Sequence, residues 1–117
     1  MDLKFPKPSR KRKCRKHAES ILQKGKYCYL CALMEGNYSE RPGLHRHHIY
    51  GGANRGISEE NGFWVRLCVA HHEYGPYAVH LNHRTMRMLQ RICQQEYEKK
   101  HSREAFMELI GRNYLDE

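Results

Sequence analysis

Leu44 to Gly52 read LHRHHIYGG. Three imidazoles, His45, His47 and His48, fall within four positions. Ile49 and Tyr50 follow, both good β-formers, and then a glycine pair. The run predicts a short strand that ends at a turn. Phe63 to Val69, FWVRLCV, is the next β-like stretch, and GGANRGISEENG between them, residues 51–62, reads as a glycine-rich loop. The expected nucleus is two short strands paired across a long connection. Imidazoles crowded beside a turn are either ordinary strand residues or they converge on something charged, a metal ion or a phosphate.

The rest of the composition weighs on that choice. The chain has 117 residues, the size of one domain, with 39% hydrophobic residues and a mean hydropathy of −0.91. Such a thin core calls for a staple, a metal or a partner. Lys and Arg number 21 against 13 Asp and Glu, a net charge of +8, which favours polyanions, nucleic acid first and anionic membrane surfaces second. No apolar run reaches the roughly 18 residues a membrane span needs. The N-terminal residues lack the apolar stretch of a secretory signal, so the cytoplasm is the expected compartment. Nine histidines and five cysteines in a reducing compartment point to metal before disulfides.

Residues 1–19 are basic and carry Pro6 and Pro8, which predicts a flexible arm. Residues 20–117 form the expected domain. Ser20 to Leu33 suits a knuckle between short strands, and residues 34–43 a polar loop. From about Val79 the apolar residues Leu81, Thr85, Met88, Leu89 and Ile92 share one helical stripe, predicting a long helix to Lys99 or Lys100. Ser102 looks like the N-cap of a short last helix and Gly111 like its stop.

Cys28 and Cys31 are two residues apart, as in a metal knuckle. The chain repeats the spacing about 36 residues later as Cys68 and His71. Three thiolates and an imidazole make a closed tetrahedral set suited to structural zinc. Such an ion would contribute about 10 kcal/mol or more to folding and so offset the thin core.

With that set assigned, a histidine pair (His47-His48), asparagines in the following loop and a further histidine (His72) remain in that order. The stretches HHIYGG, EENGFWVRLC and CVAHH resemble the HNH endonuclease family, the ββα-metal or His-Me finger fold, and in particular its small phage-type members with a zinc knuckle. The resemblance runs from about Cys28 to Leu81. It implies a small ββα-metal domain with a structural zinc knuckle; with the long helix and the short C-terminal helix read from the apolar stripe and the caps, the expected fold class is α+β. It implies further that His47 holds a catalytic divalent ion (Mg²⁺, Mn²⁺, Ni²⁺ or Zn²⁺) and that His48 is the general base. Asn61, with Asn54 as the alternative, would orient that base, and His72 would be the next metal ligand. Many members place one more histidine a helical turn later, where this chain has Pro76. A proline lets the chain bulge and return, so His80, or else His83, is expected as the third ligand.

The implied reaction is hydrolysis of DNA phosphodiester bonds. An imidazole can accept a proton at neutral pH, and a divalent ion with open positions can take a phosphate oxygen and the leaving O3′. Arg46, Arg55 and Arg66 are candidate phosphate clamps. The rival expectation is a non-catalytic, zinc-stabilised nucleic-acid-binding accessory protein, which needs the knuckle but not His48.

Overall fold

The computed structural model describes residues 16–116; the basic stretch from Arg10 to Arg15 and the rest of residues 1–15 lie outside them. The architecture is mixed α+β: helix α1 (Tyr29–Glu35), strand β1 (His45–His48), a 3₁₀ turn (Gly52–Asn54), α2 (Arg55–Asn61), β2 (Trp64–Leu67), a wide helical turn (Ala70–Tyr74), α3 (His83–Glu98) and α4 (Arg103–Ile110). The two strands pair antiparallel, His45 with Leu67 and His48 with Trp64.

Three local expectations need correction. The knuckle is not flanked by strands: Cys28 N-caps α1, its thiol accepting from the Cys31 N–H at 3.4 Å. Leu, Ala, Met and Glu in the following turn are strong helix formers. The connection over residues 51–62 is not a plain loop either. After the 3₁₀ turn it forms α2, which turns Ser58 and Glu59 inward. Ser58 Oγ donates to the Tyr50 carbonyl at 2.7 Å and ties α2 to the end of β1. Finally, the long helix begins at His83, where Asn82 accepts from the N–H groups of Arg84 and Thr85. Leu81 lies before it and is exposed. At the C-terminal end Ser102 accepts from Ala105 N–H at 3.0 Å and α4 stops at Gly111.

The core is largely aromatic. Tyr50 and Phe63 meet edge to face, and Phe106 and Tyr114 close on Tyr50 from α4 and the chain end. Leu89 and Cys93 supply the inward face of α3, and Leu30, Ile49, Val65 and Leu67 complete the cluster. Tyr50 donates to the Gln90 carbonyl at 2.6 Å, which satisfies its hydroxyl and binds α3 to the segment just after β1. Of the expected stripe, Thr85 and Leu89 are buried, while Met88 and Ile92 are only half-buried.

Residues 16–19, placed with the arm by composition, dock on the domain. Ala18 N–H donates to the Glu59 carbonyl at 3.1 Å, and the Trp64 indole donates to the Ala18 carbonyl at 2.9 Å. A buried indole N–H needs an acceptor, and this segment provides it. The same segment passes tightly over Gly62, which has φ 76° and ends α2. A Cβ there would sit 2.1 Å from the Glu19 carbonyl oxygen. Gly62→Ala should therefore cost on the order of 3 kcal/mol in denaturant unfolding. Gly56→Ala, in open space within α2, should be neutral or slightly stabilising.

Candidate metal centres and histidine cleft

Cys28, Cys31, Cys68 and His71 lie close enough to hold one metal ion. His71 Nδ1 is 3.4 Å from the sulfurs of Cys28 and Cys31 and 3.3 Å from that of Cys68. Cys31 and Cys68 sulfurs are 3.9 Å apart. A tetrahedron with metal–sulfur bonds of about 2.3 Å and a metal–nitrogen bond of about 2.0 Å has edges of about 3.8 and 3.5 Å. The donor set thus fits a zinc-sized ion in both chemistry and dimensions. Without a cation, burial and the neighbouring Cys28 push the Cys31 thiol up to about 12. Arg41 donates to its sulfur at 2.8 Å. A guanidinium here would offset the surplus negative charge of three thiolates around one divalent ion. The free nitrogen of His71 faces Glu35 at 3.8 Å, the kind of carboxylate partner that orients a ligating imidazole. Cys93 is buried in the core, where desolvation pushes its thiol up.

The second cluster forms one residue further along. Nitrogens of His47, His72 and His80 lie within 4.8 Å of one another, and His72 and His80 meet Nε2 to Nε2 at 3.0 Å. The wide turn brings them together. Gly75 N–H donates to the Ala70 carbonyl at 2.7 Å, and past Pro76 the Val79 N–H donates back to the His71 carbonyl at 2.9 Å. A Cβ at Gly75 would lie 2.5 Å from the Ala70 oxygen, so the turn closes this tightly only on glycine. The chain then returns with His80 beside His72. His83 is elsewhere: it begins α3 with its ring against Arg87.

His47 is 4% exposed, and its Nε2 is buried without a hydrogen-bond partner. An orphaned buried nitrogen is costly, and aimed at two more imidazoles it is a lone pair suited to a cation. Burial, reinforced by His72, His80 and His48, pushes His47 down to about 3. Burial and the His80 and His45 rings lower His72 as well. His47 and His72 therefore tend to present neutral imidazoles, the form that ligates metal. His45, assigned no role from sequence, shares a hydrogen with His72, Nδ1 to Nδ1 at 2.9 Å. That contact leaves His72 Nε2 for the cluster. The signal for it was strand alternation: His45 and His47 are two apart and point to the same side.

The other side of β1 faces α2. Arg46 Nη1 and His48 Nε2 both reach Glu59, at 2.6 Å to Oε2 and 2.7 Å to Oε1. β1 ends at His48, and both His47 and His48 line one cleft of about 370 Å³ with His72, His80, Arg46, Arg55 and Gly51. Asn61 does not line it. Its amide donates to the Ile57 carbonyl within α2 at 2.8 Å, and Asn54 donates to the Ile110 carbonyl at 3.1 Å. The His48 ring is instead hydrogen-bonded to Glu59. Glu59 stands two residues before Asn61 in the same EEN stretch.

Arg66 lies opposite Arg46 across the sheet, and both guanidiniums sit over Trp64, at 3.9 Å for Arg46 and 4.8 Å for Arg66. Like charges facing across strands repel. The indole face and Glu59 compensate for Arg46, and the Gly25 carbonyl accepts from Arg66 at 3.4 Å. A second hollow, lined by Lys24, Arg46, Trp64 and Arg66, adjoins the cleft through Arg46. Among the described residues no helix is long and apolar enough to cross a membrane.

Compared with known proteins, the chain matches no family model, no curated relative and no solved structure.

Burial alone would raise the carboxyl group of Glu59. Hydrogen bonds from His48, His17 and Arg46 outweigh it and hold the group down to about 2, against 4.5 ordinarily. A depressed carboxylate stabilises the fold fully above pH 4.5, and that contribution disappears as pH falls towards 2. Wild type should therefore lose up to about 3 kcal/mol more than Glu59→Gln across that window, read from urea unfolding at stepped pH.

Proposed function

We propose that the chain is a metal-dependent endonuclease of the HNH, ββα-metal type, hydrolysing DNA phosphodiester bonds. The observation that carries the reading is the buried, unpartnered Nε2 of His47, converging with His72 and His80 in a cleft that His48 also lines. A structural zinc on Cys28, Cys31, Cys68 and His71 holds α1 to the end of β2. His47, His72 and His80 would hold a separate divalent ion, which when bound supplies positive charge to a phosphate oxygen and the leaving O3′.

The chain's own residues do the rest. His48, at the mouth of β1, takes a proton from water as the water oxygen bonds to phosphorus. The P–O3′ bond breaks and the departing 3′-oxygen takes a proton from solvent water, leaving a 5′-phosphate and a 3′-hydroxyl. Arg55 on the cleft wall is placed to contact a phosphate. Arg46, Arg66 and Lys24 extend positive charge from the cleft across the outer face of the sheet. Such contacts position a backbone without reading bases, so cleavage of weak sequence preference is expected. The net charge of +8 favours the polyanion.

The test is nicking of supercoiled plasmid by protein stripped of loosely held metal. Mg²⁺, Mn²⁺ or Ni²⁺ should restore nicking to wild type, and His48→Ala should lose at least about 100-fold. His72→Ala should lose both activity and the second ion, while zinc stays at one per chain by elemental analysis. Equal nicking by wild type and His48→Ala would overturn the assignment. No nicking with any metal, alongside retained DNA binding, would leave the zinc-stabilised nucleic-acid-binding accessory protein as the reading.

A zinc count near one should depend on the knuckle alone. Cys68→Ser should lose the ion and, with it, cooperative unfolding, whereas Cys93→Ser should keep it.

A further inference from the structure

We infer that Glu59 is a positioning residue for His48. Its carboxylate fixes the ring as the Nε2–H tautomer and so leaves the lone pair on Nδ1. The inference rests on the reading of His48 as the base.

The geometry is asymmetric in a way that matters. Glu59 Oε1 accepts from His48 Nε2 at 2.7 Å, while Oε2 accepts from Arg46 Nη1 at 2.6 Å and lies 3.2 Å from His17 Nδ1. The His48 and Glu59 side chains are only 15% and 12% exposed, so water competes weakly for the pair. Glu59 sits within α2, anchored by Ser58 on the Tyr50 backbone and by its own carbonyl on Ala18 N–H. The carboxylate therefore cannot follow the imidazole if the ring turns. An ionised carboxylate only accepts, so the nitrogen facing it must carry the hydrogen. The other ring nitrogen is then the only one able to take a proton from water. A carboxylate that holds an imidazole in one tautomer is a known device for making a competent base. Here a helix opposite the strand supplies it.

Arg46 makes the inference sharply testable. In Glu59→Gln the side chain keeps its shape but has a single acceptor. If that oxygen faces His48, the amide NH₂ points at the Arg46 guanidinium, donor against donor. The favourable arrangement gives the oxygen to Arg46 and turns the NH₂ towards His48. The ring must then accept at Nε2 and carry its hydrogen on Nδ1. The variant should thus invert the tautomer rather than merely weaken a contact. Glu59→Gln with Arg46→Met removes the competing donor and should let the oxygen turn back.

The experiment is long-range ¹H–¹⁵N NMR on the full chain labelled at histidine, zinc-loaded, at a pH where imidazoles are neutral. His48 is assigned by its loss in His48→Ala. Wild type should show His48 as Nε2–H, Glu59→Gln as Nδ1–H, and the double variant should return towards Nε2–H. Nicking by Glu59→Gln should fall about 100-fold in kcat with KM for plasmid changed less than about threefold. A merely structural Glu59 would lower melting temperature without choosing a tautomer. A wild-type His48 found as Nδ1–H, or an unchanged tautomer in folded Glu59→Gln, overturns the inference. The wild-type spectrum decides the point even if a variant fails to fold. Failure of the nuclease reading is separate: it would appear as nicking indifferent to His48→Ala, with the tautomer still set by Glu59.

Discussion

The arrangement depends on separating two neighbouring imidazoles. His71 and His72 are adjacent in sequence, yet one closes the cysteine cluster and the other faces His47 and His80. An ordinary helical turn sets consecutive side chains about 100° apart and then carries the next turn straight on. Here the turn is wide, closed from Gly75 N–H to the Ala70 carbonyl, and it ends before Pro76. His71 therefore stays with the knuckle while the chain loops out and comes back with His80. Any side chain at 75 would strike the Ala70 oxygen, so glycine there is a steric requirement of both clusters at once.

Strand β1 performs a second separation by simpler means. Its alternation sends His45 and His47 to the side of His72, and Arg46 and His48 to the side of Glu59. Four consecutive residues thus supply one candidate ligand, one partner of a candidate ligand, one candidate base and one cation beside it. Opposite faces would ordinarily part His47 from His48 altogether. Because the strand stops at His48 and the chain turns at Gly51, both rings still border the same cleft.

What was legible in the sequence follows from how local each signal is. β2 announces itself by Trp64 and Val65 just past Gly62, β1 by the Ile49-Tyr50 pair and the glycines that follow it, and the last helix by Ser102 and Gly111, all within a few residues. The cysteine spacing is likewise local on each side and pairs across the sheet. Helix α1 was hidden because Cys28 acts as a cap, a role its thiol does not advertise. Helix α2 was hidden behind Gly51, Gly52 and Gly56, which lower helix propensity; packing of Ser58 under Tyr50 overrides it. The partners of the site residues were the least legible. Glu59 on His48, Arg41 on Cys31 and His45 on His72 are contacts across 11, 10 and 27 positions. No periodicity encodes them; they exist only once the elements have packed together.

The alternative raised by the histidine-rich strand, a cation or a phosphate at the cluster, turns on protons. An anion would be held by imidazolium, with hydrogens on every nitrogen facing it. His47 is buried enough to resist protonation, and its neighbours add repulsion to that resistance. With His72 and His80 only 3.0 Å apart at Nε2, two facing hydrogens would collide, so at least one of the pair must present a lone pair. His45 on Nδ1 of His72 can direct the hydrogen of that ring outward and its Nε2 lone pair inward. Neutral rings with inward lone pairs are a site for a cation. The positive charge for a phosphate is instead on the rim, where Arg46 and Arg55 border the cleft. The interior suits a cation and the edge, where the two arginines stand, suits an anion. That ordering of charge from inside to outside explains why so many histidines occupy so basic a chain.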